Sequence, residues 1–188
     1  MRQRYDAPAC PASSRLPIVS PDLRLRPITD ADLPVLLELN NAAVPNVDEI
    51  SAEHLANLVS MAAVPVLAES DGIVRGFALA LPTGVDYVSR NYRWFGLHYP
   101  DRDFHYLDRI VVGADGRGSG VGAALYREVI EATRRAGVHM ITCEVNTVPP
   151  NPGSMRFHQR LGFTRVGTLI HDRGDYQVAL LTLSVPDV

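Results

Sequence analysis

The sequence predicts a single α/β domain in which strands and helices are mixed along the chain. The clearest evidence is residues 104–125, where an alternating apolar strand leads into a glycine-rich turn and the start of a helix. The Asp71-Gly72 turn between two apolar runs indicates a β-hairpin. Asn151-Pro152 places an N-cap residue before a first-turn proline and so marks a further helix. A length of 188 residues fits one domain with a substantial core.

The composition is that of an ordinary globular protein, with 46% hydrophobic and 21% charged residues and a formal net charge of −3. Acids and bases are mixed along the chain, so no basic stripe points to a nucleic acid. No apolar run approaches the roughly 20 residues that span a bilayer, and the N-terminus lacks the apolar segment of a signal peptide. Cys10 and Cys143 form neither a disulfide framework nor a metal pattern. We therefore expect a cytoplasmic protein without a metal, a membrane partner or a nucleic acid partner.

The first elements follow a segment with little periodicity. Residues 1–20 contain several prolines and are interpreted as a flexible leader, with the domain at 21–188. Residues 23–27 alternate as a short strand. Thr29 and the acids after it start a first helix, and Ser51 caps a second helix, because hydroxyl and carboxylate side chains satisfy the free N–H groups of a helix start.

Residues 82–103 are long for a connection and hold five of the chain's aromatic side chains. Two interpretations are open. A long loop needs a small core of its own, or the aromatic rings form the wall of a substrate pocket, since they supply contact area at low entropic cost. The second interpretation makes four residues candidates for substrate binding: Tyr87, Tyr92, Trp94 and Phe95.

The glycine-rich turn predicts an anion site. Gly116, Gly118, Gly120 and Gly122 fall within seven residues, and backbone N–H groups can approach an anion closely where no Cβ intervenes. The next helix, predicted over 121–135, directs its N-terminal partial positive charge to the same point. We therefore expect a phosphate-bearing ligand at this turn.

The remaining elements follow from local signals. Gly137 ends the helix after the turn, and residues 139–145 read as a strand. Asn151 starts a short helix that runs to Leu161, before a glycine at 162. Two final strands are predicted over 164–171 and 176–184, with a turn around Arg173 and Gly174.

Two common phosphate-binding motifs do not fully fit the glycine-rich turn. A nucleotide-triphosphate P-loop ends in Gly-Lys-Ser/Thr, and no lysine is present here. A dinucleotide fingerprint G-x-G-x-x-A does match Gly118, Gly120 and Ala123, with Glu144 at about the distance of a ribose-binding acid. That fold, however, needs further βα units downstream, and the chain has only one short helix left.

Two motifs together resemble the GNAT N-acetyltransferase superfamily. Arg117-Gly118-Ser119-Gly120-Val121-Gly122 fits R/Q-x-x-G-x-G/A, and residues 151–163 resemble the segment N-x-x-A-x-x-x-Y-x-x-x-G-F at a matching distance. The likeness covers about residues 23–188. The combination EVN…PPNPGS…FH…LGF, with NYRWF upstream, also resembles a bacterial subgroup of predicted acetyltransferases.

The resemblance implies a fold and a donor. The fold is a mixed, mostly antiparallel sheet that splays after its fourth strand and is flanked by about four helices. The donor is acetyl-CoA, whose pantetheine arm bonds to the backbone of the fourth strand and whose pyrophosphate lies on the glycine turn. Through this likeness the following residues are candidates for binding the donor: Ile110, Val111, Val112, Arg117, Gly118, Ser119, Gly120, Val121, Gly122, Asn151, Ser154 and His158.

Acetyl transfer to an amine requires a path for the amine's proton. For a lysine-like amine with a pKa of about 10.4, deprotonation at pH 7 costs roughly 4.6 kcal/mol. Glu144 is the candidate base and resembles a strand glutamate of ribosomal-protein alanine acetyltransferases; a solvent-facing or arginine-paired glutamate is the alternative. Asp108, predicted to share a strand face with Tyr106 and Ile110, is the second candidate, with a salt bridge as the alternative. His158, where the superfamily most often has tyrosine, is the candidate acid; a base or a hydrogen-bond donor to sulfur are the alternatives.

The main functional hypothesis is therefore an acetyl-CoA-dependent N-acetyltransferase that acts on the primary amine of a small molecule by direct attack in a ternary complex. An acetyltransferase for protein N-termini or lysines is one alternative. A non-catalytic acyl-CoA-binding module is another. Many relatives in this superfamily pair through sheet edges, so the resemblance also admits a homodimer.

Overall fold

A computed structural model describes residues 22–171 and 176–187 of the chain. Within these ranges it contains seven β-strands and five α-helices. The strands are β1 (Arg24–Pro27), β2 (Val64–Ser70), β3 (Ile73–Pro82), β4 (His105–Val112), β5 (Met140–Val148), β6 (Thr164–His171) and β7 (Tyr176–Ser184). The helices are α1 (Leu33–Asn41), α2 (Ala52–Met61), α3 (Arg90–His98), α4 (Val121–Arg135) and α5 (Pro152–Arg160). Short 3-10 turns at Asp30–Asp32 and Ala114–Gly116 precede α1 and α4.

Most predicted elements are confirmed. The hairpin is β2–β3, and α4, β6 and β7 have the predicted bounds. Ser51 caps α2 by accepting a hydrogen bond from the His54 amide, and Asn151 caps α5 through the Ser154 amide. The leader at 1–20 and the turn at Arg173-Gly174 lie outside the described residues.

The seven strands form one sheet that is splayed at its centre, as the resemblance implied. The strand order is β1-β2-β3-β4-β5-β7-β6, and the neighbours are antiparallel except for β4 and β5. These two parallel strands pair at His105–Ile141 and Tyr106–Thr142 and then diverge. Beyond that point, the edge of β4 that faces β5 has backbone groups with no strand partner, and a cleft opens between the strands.

Two cores lie on opposite faces of this sheet. Large side chains of α1, α2 and α3 pack with one face, where Leu36, Leu55, Leu58 and Phe95 are fully buried. The amphipathic helix α4 packs on the other face through a stripe of apolar residues that includes Leu125 and is largely buried. Burial of this apolar surface is the main stabilising contribution to the fold.

A β-bulge in β4 changes which side chains share a face. Leu79 of β3 pairs with Arg109, and the next residue, Ala80, pairs with Leu107, so Asp108 is the extra residue. A bulge of this kind breaks the alternation of side chains. The prediction that Asp108 shares a face with both Tyr106 and Ile110 is therefore wrong for Ile110, which packs against the α4 side of the sheet.

The aromatic segment 82–103 is not a continuous loop, because it contains α3. Ser89 caps this helix by accepting a hydrogen bond from the Tyr92 amide. Tyr92 and Phe95 are buried in the core, and the Trp94 ring packs against β6 at Gly167. The interpretation that the rings pack in a core is therefore confirmed for Tyr92 and Phe95, which belong to a helix that the sequence analysis missed.

No helix in the described ranges is both long and apolar enough to cross a membrane.

We predict that the contact of Trp94 with β6 can be tested by substituting glycines. A Cβ added to Gly167 would lie 2.9 Å from Trp94 Cζ2, whereas one added to Gly96, inside α3, meets nothing within 4 Å. Gly167→Ala should lower the free energy of unfolding by about 1 to 2 kcal/mol through overpacking. Gly96→Ala should raise it by about 0.5 to 1 kcal/mol through helix propensity. Urea unfolding measures both; equal stability of Gly167→Ala and the parent would contradict the packing.

Candidate active site

The glycine turn has the backbone geometry that an anion site needs. Gly118 and Gly120 have φ angles of 80° and 87°, a region that side-chain-bearing residues rarely adopt. Gly120 is the N-cap of α4, and its carbonyl accepts the amide of Ala124 at 2.9 Å. The first amides of α4 have no partner within the helix, so they are available to an anion in front of it.

A single large cavity connects this turn with the cleft between β4 and β5. Its volume is about 1380 Å³, larger than the roughly 300–1,000 Å³ of sites that hold one small ligand. It reaches from the glycine turn, past the diverging strands, to the loop between α1 and α2 and the start of α3. The cavity can therefore hold two ligands end to end.

Most of the predicted donor-binding residues line this cavity. Ser119 and Val121 do not. The Ser119 hydroxyl donates to the carbonyl of Gly116 at 2.7 Å, and the Val121 side chain is buried under α4. The Val121 amide, in the first turn of α4, is the atom that the prediction needs, whereas the Ser119 amide donates to the carbonyl of Gly116 at 3.4 Å. The predicted residues that line the cavity are Ile110, Val111, Val112, Arg117, Gly118, Gly120, Gly122, Asn151, Ser154 and His158.

Glu144 lies on β5, two residues beyond the last pairing of β4 with β5. One oxygen of its carboxylate accepts a hydrogen bond from the hydroxyl of the buried Tyr106 at 2.8 Å. Burial, reinforced by the negative charge of Asp108, raises the pKa of Glu144 to about 7, against opposing contributions from Tyr106, Asn91 and Arg109. At neutral pH this carboxyl group can therefore accept a proton and release it again.

Asp108 is held on both of its oxygens. Oδ1 accepts the hydroxyl of Tyr87 at 2.6 Å, and Oδ2 accepts Nε of Arg109 at 3.1 Å. Burial raises the pKa of Asp108, while Arg109 and Tyr87 lower it in part. The two carboxyl groups thus differ, because Asp108 is engaged in an ion pair with Arg109, whereas Glu144 accepts its hydrogen bond from the uncharged hydroxyl of Tyr106.

Arg109, which the sequence analysis did not single out, holds the loop between α1 and α2. This loop forms the wall of the cavity at the end away from the glycine turn. The Arg109 guanidinium is buried and donates to Asn40 Oδ1 at 3.1 Å and to the carbonyl of Asp48 at 2.8 Å. Asn41 holds the same loop by donating to the carbonyl of Ile50 and accepting its amide. The one signal in the sequence was an arginine within an apolar strand, which needs partners when buried.

His158 is buried with both ring nitrogens in hydrogen bonds. Nδ1 lies 2.8 Å from the carbonyl of Ser154, which can only accept, so Nδ1 carries a proton. Nε2 pairs with the hydroxyl of Tyr126, another residue that the sequence analysis missed. Burial lowers the pKa of His158, so the ring is neutral at pH 7 and Nε2 is the acceptor. In this arrangement His158 offers no acidic proton of its own toward the cavity.

Of the four aromatic residues predicted to bind substrate, Tyr87 alone lines the cavity. The structure places Tyr92 and Phe95 in the core, where the Tyr92 hydroxyl donates to the carbonyl of Pro82. Trp94 faces β6 and stacks on His98. Asn91, in the first turn of α3, does line the cavity, whereas the three rings follow it along the helix and do not.

A comparison with known protein families gives the geometry its context. The sequence model of the acetyltransferase (GNAT) family matches residues 34–163, more than two thirds of the chain. The chain belongs to this family. It is therefore an acyltransferase enzyme of the N-acetyltransferase type, and the family uses acetyl-CoA as its donor.

Relatives and solved structures agree with this assignment. An L-methionine sulfoximine/L-methionine sulfone acetyltransferase of Pseudomonas paraeruginosa is 29% identical over 152 residues, which cover 74% of this chain and 78% of that protein. The ribosomal-protein-alanine N-acetyltransferase of Brucella melitensis has a TM-score of 0.66 at 24% identity, over 86% of this chain and 99% of the other. Arabidopsis thaliana Naa50, in complex with the bisubstrate analogue CoA-Ac-MVNAL, has a TM-score of 0.68 at 17% identity, over 87% and 99%. These structural likenesses show the fold.

We predict that the raised pKa of Glu144 has a measurable cost in stability. The unfolded chain loses this proton near pH 4.5 and the folded protein near pH 7, so between these values the folded state binds more protons and its stability falls as pH rises. Glu144→Gln lacks this group. Its free energy of unfolding should match the parent's at pH 4.5 and exceed it by about 2 to 3 kcal/mol at pH 8.

Urea unfolding at the two pH values measures this difference, and groups that do not interact with Glu144 contribute equally to parent and variant. Glu131→Gln, on the exposed face of α4, is the matched control and should show no such rise. A difference independent of pH would contradict the raised pKa.

Proposed function

We propose that this protein is an acetyl-CoA-dependent N-acetyltransferase for the primary amine of a small molecule. The observation that carries the proposal is the position of Glu144: a carboxyl group with a pKa of about 7 lies where the cleft between β4 and β5 opens into one cavity with the glycine turn. A proton acceptor and an anion site therefore share one cavity. We infer that Glu144 is the general base.

The described residues fit the donor. The positive φ angles of Gly118 and Gly120 leave a backbone cradle that a Cβ would strain. The amides of Gly118, Gly120, Val121 and Gly122 would hold the pyrophosphate, since those of Arg117 and Ser119 donate to the carbonyls of Ala114 and Gly116. The backbone of Ile110, Val111 and Val112, on the edge of β4 where β5 has diverged, would hold the pantetheine arm. When bound, the donor supplies an acetyl group activated as a thioester.

In the proposed mechanism Glu144 removes a proton from the acceptor nitrogen. The neutral nitrogen forms the new bond to the acetyl carbon as the carbon–sulfur bond breaks. Sulfur leaves with the bonding electron pair and takes up the second proton that the nitrogen releases. For an amine with a pKa of about 10, proton transfer to a base with a pKa near 7 is uphill by only about 4 kcal/mol, which a pre-positioned pair can supply. We assign His158 the role of holding the Tyr126 hydroxyl beside the donor site, since its own nitrogens are engaged.

The acceptor end of the cavity favours a small molecule. The loop after α1, held by Arg109, Asn40 and Asn41, forms one wall, and Tyr87 and the start of α3 form the other. The Pseudomonas relative is named for the amino-acid derivatives L-methionine sulfoximine and L-methionine sulfone. We therefore propose the α-amino group of a free amino acid or a close derivative as the acceptor.

We predict turnover with small amino-acid amines. Release of CoA thiol from acetyl-CoA should be measured across a panel of free amino acids, L-methionine sulfoximine, L-methionine sulfone, peptides with free N-termini and lysine peptides. The small molecules should be acetylated, and the peptides should react at least about tenfold more slowly because the walls exclude them. Equal or faster turnover of the peptides would overturn the acceptor assignment.

We further predict the pH dependence of the best acceptor. Since Glu144 must be ionised to act as a base, kcat/KM should fall below a pH of about 7 and level off above it, after correction for the amine's own titration. Glu144→Gln should lower kcat/KM by about 10²- to 10⁴-fold and remove that limb. Full activity of this variant would mean that the base lies elsewhere.

We also predict that Arg117 contributes to donor binding. Arg117 is exposed beside the glycine turn and lines the cavity, whereas Arg127 is exposed on α4 outside it. Arg117→Ala should weaken CoA binding about tenfold in calorimetry, because a charge-assisted contact with phosphate is lost. Arg127→Ala changes the net charge equally and should leave the affinity unchanged. Equal effects of the two variants would contradict a direct contact.

A further inference from the structure

The start of α3 brings a buried amide to the proposed base. Asn91 is the second residue of the helix, is almost fully buried and lines the cavity. Glu144 lines the same cavity, and a side-chain hydrogen bond from Asn91 is among the contributions that lower the pKa of its carboxyl group. The mechanism described above does not use Asn91, and buried amides of this kind require partners at both ends.

The second end of the Asn91 amide has a partner on another strand. Oδ1 of Asn91 lies 2.9 Å from Nε2 of His171, on β6. An ionised carboxylate only accepts hydrogen bonds, so the NH₂ group of Asn91 faces Glu144 and its oxygen faces His171. Nε2 of His171 therefore carries a proton and donates it to Asn91.

His171 is itself held in place. Its ring contacts the ring of Tyr176 on β7 edge-to-face, with centroids 5.1 Å apart. The Tyr176 hydroxyl donates to Asn146 Oδ1 at 2.8 Å, and Asn146 is two residues beyond Glu144 on β5. The chain of contacts thus begins and ends on the strand that carries Glu144, and it joins α3, β6 and β7 around that residue.

We propose that Asn91 is a positioning residue for the carboxylate of Glu144 and that His171 fixes the orientation of the Asn91 amide. This inference rests on the proposed role of Glu144 as the base. The hydroxyl of Tyr106 alone leaves the carboxylate free to rotate about that one contact. A second donor restricts that rotation, and fixed geometry is what proton transfer to a base requires.

The proposal predicts that the pKa of Glu144 changes when Asn91 is replaced. Two donors favour the ionised carboxylate, so removal of one should move the acid limb of kcat/KM to higher pH. The charged or titratable side chains that also act on Glu144 from the surrounding elements are Asp108, Arg109, Tyr87, Tyr106, Tyr126, Tyr176 and Cys143. The variants below leave all of these unchanged.

The test compares the pH profiles of kcat/KM for Asn91→Ala, His171→Phe and His171→Gln with the parent, using the best acceptor of the panel. Asn91→Ala should move the acid limb up by about one pH unit and lower kcat about 10- to 100-fold, with the KM for acetyl-CoA unchanged. His171→Phe should show a smaller change in the same direction. His171→Gln keeps an N–H donor for Asn91 and should restore most of the activity.

His98→Phe is the matched control, because His98 lies on the same helix, is exposed and does not line the cavity. It should leave the pH profile unchanged. An acid limb that stays in place in Asn91→Ala, or equal losses in His171→Phe and His171→Gln, would overturn the inference. If thermal unfolding shows that Asn91→Ala does not fold, the comparison of the two His171 variants decides.

The same data separate this inference from the proposed function. If Glu144→Gln is inactive while Asn91→Ala keeps the parent's profile, Glu144 remains the base and the positioning role fails. If Glu144→Gln is fully active, the base assignment fails, and the inference fails with it.

Discussion

The divergence of β4 from β5 is the constraint on which the rest of this structure depends. Two parallel strands that separate after two paired residues leave backbone polar groups open along one edge, and such groups are costly unless they find a partner. The flanking antiparallel pairs hold the sheet together, with β3 on one side and β7 on the other. The cleft can therefore persist within a folded domain, and it places the glycine turn and Glu144 in one cavity.

A carboxyl group in such a cleft becomes a better proton acceptor at neutral pH, but its burial lowers the free energy of unfolding of the protein. Glu144 is removed from bulk water and lies near a second acid, so its ionised form is disfavoured. Tyr106 and Asn91 offset part of this penalty without abolishing it. The outcome is a group that titrates near neutrality. Asp108 is buried as well, but its carboxylate forms an ion pair with Arg109 and helps to hold the structure.

Local signals explain what the sequence could predict. The glycine turn, the caps of α2 and α5 and the periodicity of α4 are each encoded within a few residues, and all are confirmed. Helix α3 was missed because most of its apolar residues are aromatic and lie among arginine, glycine and histidine, which gives no clear helical pattern. Burial in the core, more than local sequence, makes this segment helical. The pairs Arg109–Asn40 and Tyr126–His158 join residues 69 and 32 positions apart, and no local pattern encodes such contacts. The bulge at Asp108 depends on the register with β3 in the same way.

The loop after α1 has one further consequence, for the evolution of this enzyme. Arg109 and Asn40 donate hydrogen bonds to its Asp48 carbonyl. Asn41 forms hydrogen bonds with both the carbonyl and the amide of Ile50. These anchors are main-chain atoms, which every amino acid possesses. The side chains of this loop can therefore be substituted between related enzymes while the path of its backbone stays the same. Acceptor preference can diversify through simple substitutions here, without a compensating change in the catalytic strands.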